Sequence, residues 1–270
     1  MFTRKNCENV SINLYFSSHY GGAVTPLLRQ LFADADVVLI EQAYQDEGDF
    51  ILNMLNELSR GNLLVEDVQN VMSGVGDQVH PEFDRELKSL IFRSGKRILV
   101  EKSPHSAHAY TVLMALDDRE FRNMRLVKAC HKLKEDLVKY ADYQKRRDEA
   151  LADHLTTLIG SQATSNILVI RGLEHKVPLE RALAERGTPA RSFLSGEWIP
   201  LTFTDDVVQK LLIGERPRRR DLLLTLAEGT ETRTGTFQVT KANVRAVREH
   251  FGGMSEKQLE KLLRKRLNLT

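Results

Sequence analysis

Apolar residues fall along this chain in two alternating patterns. Four short apolar runs, at 12–16, Val37–Ile40, Arg97–Val100 and 167–170, are rich in β-branched and aromatic residues. Such runs predict strands covered on both faces. Between them, apolar residues recur at helical spacing. Thr25 followed by Pro26 offers an N-cap and a first-turn proline for a helix reaching about Ala33. Phe50, Ile51, Met54, Leu55 and Leu58 share one face of a helix over 49–60, stopped by Gly61. Phe83, Leu87, Leu90 and Ile91 repeat the scheme over 81–93. Helical spacing then runs from about 118 to 159 with no Gly or Pro before Gly160, which predicts two helices or one bent helix. A helix over 178–186 and a fifth strand over 190–194 follow the strand at 167–170.

Strands alternating with helices predict an α/β fold, a mostly parallel sheet flanked by helices. From Trp198 onward the pattern changes. Helices are expected over 205–212, 243–251 and 255–267, the last with Ser255 and Gln258 placed as a capping pair. Between them lie the basic run Arg216-Pro217-Arg218-Arg219-Arg220 and a Thr-rich polar turn at 229–235. The expected division is therefore an α/β core over 1–199 and a mainly helical C-terminal appendage over 200–270.

Composition narrows the picture. With 39 Lys and Arg against 37 Asp and Glu, 41% hydrophobic residues and a net charge of +2, the 270-residue chain is neither disordered nor uniformly basic. No run approaches the roughly 18 apolar residues of a membrane span. The N-terminus lacks the apolar core of a signal peptide, so a cytoplasmic setting is expected. Cys7 and Cys130 are too few for a disulfide framework or zinc ribbon, and Cys130 falls at an apolar helical position. No P-loop, strand-linked GxGxxG or GxSxG elbow is present.

In parallel α/β sheets, chemistry gathers at the carboxyl ends of the strands. The first strand runs into Ser17-Ser18-His19, the second into Glu41, and the fourth into Arg171-Gly172-Leu173-Glu174-His175. Parallel strands would put His19, Glu41 and His175 on one rim. Two imidazoles and a carboxylate can hold a divalent metal that activates water, or act on water as general bases. Arg147, with Asp148 beside it, could present a cation from the long helical segment to a carbonyl, a phosphate or a developing oxyanion. Glu101 and His105, after the third strand, and Glu174 are further candidates; His105 and His108 have a metal-like i,i+3 spacing, and Asp46 and Glu47 could line the same rim.

The order of these elements resembles the superfamily containing the erythromycin esterases, the ChaN haem-binding lipoproteins, the TraB/PrgY pheromone-shutdown proteins and the TIKI metalloproteases. The likeness covers roughly 12–195 and rests on His19 after strand one, "ADADVVLIEQ", "RD" before small apolar residues, and "ILVIRGLEH". It implies an α/β core and a hydrolase site. His19 would take the histidine of the first GxxH motif, Glu41 the acid after strand two, and Arg147 the helical arginine. Gly172 and His175 would supply the second GxxH. Phe16 stands where Gly is usual and Ser17 where the esterase branch carries Glu, so the likeness points to the TIKI/TraB-like branch or a divergent one rather than to an esterase proper.

The leading expectation is a hydrolase acting on an ester, peptide or related bond of a small molecule or peptide. A divalent ion (Mn, Co, Zn or Fe) would sit on His19, Glu41 and His175. The alternatives are a non-catalytic metal- or small-molecule-binding regulatory module, and a nucleic-acid-associated defence or mobile-element protein using the Arg216–220 run. The amphipathic segment 255–267 would dock on the core or on a second copy of the chain.

Overall fold

The computed structural model describes residues 11–17, 24–41, 48–73, 81–101, 121, 124–161, 166–195, 202–232 and 241–267. The apolar runs form strands β1 (Ser11–Ser17), β2 (Val37–Ile40), β3 (Arg97–Val100) and β4 (Asn166–Gly172), joined by β5 (Arg191–Leu194). They make one five-stranded sheet in the order β3-β2-β4-β1-β5. Every pairing is parallel. This is the α/β fold expected. β4 lies at its centre, with Val37–Ile40 in register against 167–170 on one side and Ser11–Ser17 against 166–172 on the other.

Alternation along the strands sorts side chains onto two faces. Tyr15, Val38, Ile98, Leu168 and Ile170 pack with helices α1 (Pro26–Asp34), α2 (Gly48–Arg60), α3 (Val65–Ser73) and α4 (Pro81–Ile91). Ile12, Leu14, Phe16, Leu39, Ile167 and Val169 pack on the other face. That face is covered by Leu151, Ala152 and Leu155 of α5 (Leu126–Ser161) and by Leu179 and Leu183 of α6 (Lys176–Glu185). Burial on both faces explains why these strands read as largely apolar runs. Thr25 caps α1 by accepting from the N–H of Leu28.

The long helical pattern is one helix of 36 residues, α5. The chain divides into two compact units, 1–106 with 147–198, and 107–146 with 199–270. The 107–146 stretch, expected in the core, thus clusters with the C-terminal helices. Its stripe of Leu126, Ala129, Leu133 and Leu137 joins the core of that second unit. There the chain forms α7 (Phe203–Leu212), α8 (Arg219–Thr232), α9 (Lys241–Gly252) and α10 (Glu256–Leu267). Helix α8 replaces part of the turn expected at 229–235. Its Leu222, Leu223, Leu224, Leu226 and Ala227 are buried nearly all round, so the segment carries no amphipathic signature. The apolar side of α10 (Leu259, Leu263, Leu267) is buried within this second unit's own helical cluster. Among the described residues no helix is long and apolar enough to cross a membrane.

Candidate functional site

Strand alternation builds the site. Leu39, Leu99 and Val169 face α5. Two residues further along each strand come Glu41, Glu101 and Arg171, so the same face carries two carboxylates and a guanidinium at the sheet's carboxyl edge. Parallel register holds them level: the N–H of Glu41 donates to the carbonyl of Ile170 at 3.1 Å, and that of Glu101 to Ile40 at 3.2 Å. On α5, Arg147 and Asp148 lie four residues before Leu151 and Ala152, one turn up the stripe that packs on the sheet. His175 arrives on a single 3-10 turn, 173–175, directly after β4.

These side chains form one buried network. Arg147 grips Glu101 with two parallel bonds of 3.0 Å, from Nε to Oε1 and from Nη2 to Oε2. Its Nη2 also donates to Glu41 Oε1 at 3.2 Å. Arg171, 1% exposed, donates through Nη1 to Glu101 and pairs with Asp148 Oδ1 at 2.9 Å through Nη2. Glu41 Oε2 accepts from the N–H of Gly172 at 2.8 Å. Glu101 is therefore a hub that receives both guanidiniums.

His175 is 1% exposed. Its Nδ1 lies 3.0 Å from Asp148 Oδ1 and 3.2 Å from Oδ2. Arg171 Nη2 lies 2.9 Å from the same nitrogen. Since a guanidinium only donates, both groups are served when Nδ1–H and Nη2–H converge on the Asp148 carboxylate. The other nitrogen then faces the cleft. Nε2 stands 3.2 Å from Glu41 Oε1 and 3.7 Å from Glu174 Oε1. It is off line for a hydrogen bond, and among the described residues it is a buried ring nitrogen without a hydrogen-bond partner. Burial and the Arg171 charge push the imidazole pKa down. The charges of Asp148 and Glu41 and the bond to Asp148 push it up and win, raising it to about 9.

Glu41, Glu174 and His175 present ligand atoms within 4.8 Å of one another. The network counts four carboxylates (Glu41, Glu101, Asp148, Glu174) against two guanidiniums, an excess of two negative charges when the His175 imidazole is neutral and of one when it is protonated. Of the candidates read from the sequence, Glu41, Glu101, Arg147, Asp148, Glu174 and His175 meet here. His19 and His105 lie outside the described residues, as do His108, Asp46 and Glu47. Glu174 stands beside Glu41 as a ligand candidate rather than at the margin. Arg147 grips carboxylates, which makes it a holder of Glu41 and Glu101. Arg171 was not singled out from the sequence, although an arginine ending the apolar run "ILVI" is the signal: alternation there demands a buried partner.

The fold and site together define a parallel α/β protein with an acid–histidine–arginine cluster at its strand ends. Comparisons with protein-family models, curated proteins and solved structures return no match for this chain.

Proposed function

We propose that the chain is a hydrolase in which Glu41, Glu174 and His175 hold a divalent cation (Mn, Co, Zn or Fe), with His19 kept as a further ligand. The observation that carries this reading is the buried Nε2 of His175, without a hydrogen-bond partner among the described residues and beside two carboxylate oxygens. Ligands at tetrahedral zinc distances lie roughly 3.4 Å apart. The 3.2 and 3.7 Å separations suit atoms around one ion better than an in-line hydrogen bond. Asp148 orienting the far ring nitrogen is the usual outer-shell partner of a ligating histidine.

Such an ion, when bound, lowers the pKa of a coordinated water and polarises a carbonyl oxygen. The chain's own residues do the rest. Asp148 fixes the ring, and Arg147 and the Gly172 N–H hold Glu41. The less tightly ligating of Glu41 and Glu174 takes the proton of the attacking water. The substrate class is an ester, peptide or related bond in a small molecule or peptide, in a cytoplasmic setting. The resemblance to the TIKI/TraB-like branch supports the reading through the joint order of its motifs.

One observation favours a second reading, a metal- or small-molecule-binding regulatory module. Arg147, the expected oxyanion donor, is engaged with Glu101 and Glu41. Elemental analysis and a panel of ester and peptide substrates separate the two. The hydrolase reading expects about one equivalent of metal and turnover, both lost in His175→Ala. Metal without turnover on any substrate selects the module. Full metal and full turnover in His175→Ala would sink both.

A further inference from the structure

The near-zero net charge of the chain conceals a strong division between its two units. The first carries 16 Lys and Arg against 22 Asp and Glu, a formal charge of −6. The second carries 23 against 15, a formal charge of +8. A compact helical unit with that excess self-repels unless it meets a polyanion.

The excess has a definite place. Helix α10 buries Leu259, Leu263 and Leu267 and exposes Lys257, Lys261, Arg264 and Lys265. These four recur at spacings of four, three and one, so they share one side of a helix over about 12 Å. The acids of α10 do not neutralise them. Glu256 and Glu260 both turn to Arg219 at the start of α8, at 3.6 and 2.6 Å. Among the described residues no ion pair engages the four cations.

The same contacts reassign the Arg216–220 run. Arg219 is spent on those two acids. Arg220 donates to the carbonyls of Met254 and Gly252 at 2.6 and 2.8 Å. Arg219 thus holds the first turn of α10 and Arg220 the α9–α10 link, and the exposed Arg216 and Arg218 stand just before them in the chain. Helix α9 meets α10 through only Gly253, Met254 and Ser255, the short glycine-bearing link of a helix-turn-helix pair. Helix α8 packs against both.

We propose that this unit docks on double-stranded DNA through the basic face of α10, by contacts to backbone phosphates. Three features select this partner. No leucine of α10 is exposed, so the face has nothing to insert into a lipid surface. No Phe, Tyr or Trp among the described residues of the unit is exposed, so it offers no platform for stacking unpaired bases. A single helix face fits the wide major groove of B-form DNA, whereas the A-form groove is too narrow for it. The proposal is independent of the hydrolase reading.

The test is a fluorescence-anisotropy titration of the full chain with a mixed-sequence DNA duplex of about 30 base pairs. Four phosphate contacts give a log–log salt slope near −3.6, so affinity should fall about 100-fold between 50 and 200 mM salt. The variant K257Q/K261Q/R264Q/K265Q should lose at least about tenfold at low salt, with the slope flattened by about 3.6. Lys261→Glu reads the same face if the fourfold variant fails to fold. K128Q/K134Q/K139Q, which removes exposed cations of the same unit on α5, should change affinity less than about threefold. Wild-type binding by the α10 variants would overturn the proposal, as would an equal loss in the α5 variant. So would binding of duplex RNA or phosphatidylserine vesicles as tight as that of the DNA.

Discussion

His175 donates its Nδ1–H to Asp148, 3.0 Å from Oδ1, and this bond decides which ring nitrogen faces Glu41 and Glu174. Asp148 is itself wholly buried and held by Arg171, so the imidazole has little freedom to turn. Asp148→Asn keeps the shape but brings an amide that can face Nδ1 with a donor. The opposite tautomer then places a proton on Nε2. Metal affinity should drop 10–100-fold, the usual effect of losing an outer-shell partner. Isothermal titration with Mn²⁺ or Zn²⁺ measures this, and an unchanged affinity would show that Asp148 does not orient the ring.

A ligand that binds only the folded state raises its stability by mass action. Adding metal at about 100 times its Kd should stabilise the wild type by about 2.7 kcal/mol, and a chelator should reverse the gain. Glu41→Gln and His175→Ala should show neither effect. Thermal unfolding with and without the ion provides the measurement. A metal-induced shift that survives in His175→Ala would place the ion elsewhere.

Glu101 carries a different burden. It takes two bonds from Arg147 and one from Arg171, and all three side chains are almost fully buried. Removing one member of a buried ion network strands the others, which costs about 3–5 kcal/mol. Glu101→Ala should lose that much in urea unfolding, and Glu101→Gln, which still accepts, should lose less. A loss under about 1 kcal/mol in Glu101→Ala would mean that water reaches the guanidiniums.

Much of this was legible in the sequence, for physical reasons that also mark where legibility stopped. Strands β1 to β4 stood out because burial on two faces leaves few polar residues in the run, Asn13 being the one inside β1 between buried neighbours. Glu41, Glu101, Glu174 and His175 were found because parallel strands end on one rim. Arg147 and Asp148 were found as charges beside an apolar stripe. Arg171 was not, since a charge closing an apolar run looks like a strand entering solvent. Helix α8 hid because a helix buried nearly all round has no polar face to set its period. The unit boundary at Arg146 and Arg147 hid because α5 passes through it with no glycine or proline before Gly160. The opposite charges of the two units cancelled in the total.

Glu228 makes stability depend on pH in the helical unit. Its carboxylate, 4% exposed, accepts from the N–H groups of Phe203 and Thr204 at 3.0 and 3.1 Å and from Thr204 Oγ1 at 3.2 Å. It thereby serves the first turn of α7, where Thr202 and Asp205 already form a capping box. Burial outweighs these bonds and raises its pKa from the ordinary 4.5 to about 7. A raised carboxyl pKa means that the folded chain binds this proton more tightly than the unfolded one. The associated stability is fully present below about pH 4.5 and is lost as pH climbs through about 7. Across that window the wild type should lose about 3 kcal/mol relative to Glu228→Gln, which cannot ionise. Urea unfolding of both proteins at pH 5 and pH 8 gives the difference directly. Parallel stability profiles would show that ionised Glu228 is fully compensated by its donors, and a wild type that gained relative to Glu228→Gln on raising the pH would reverse the sign argued here.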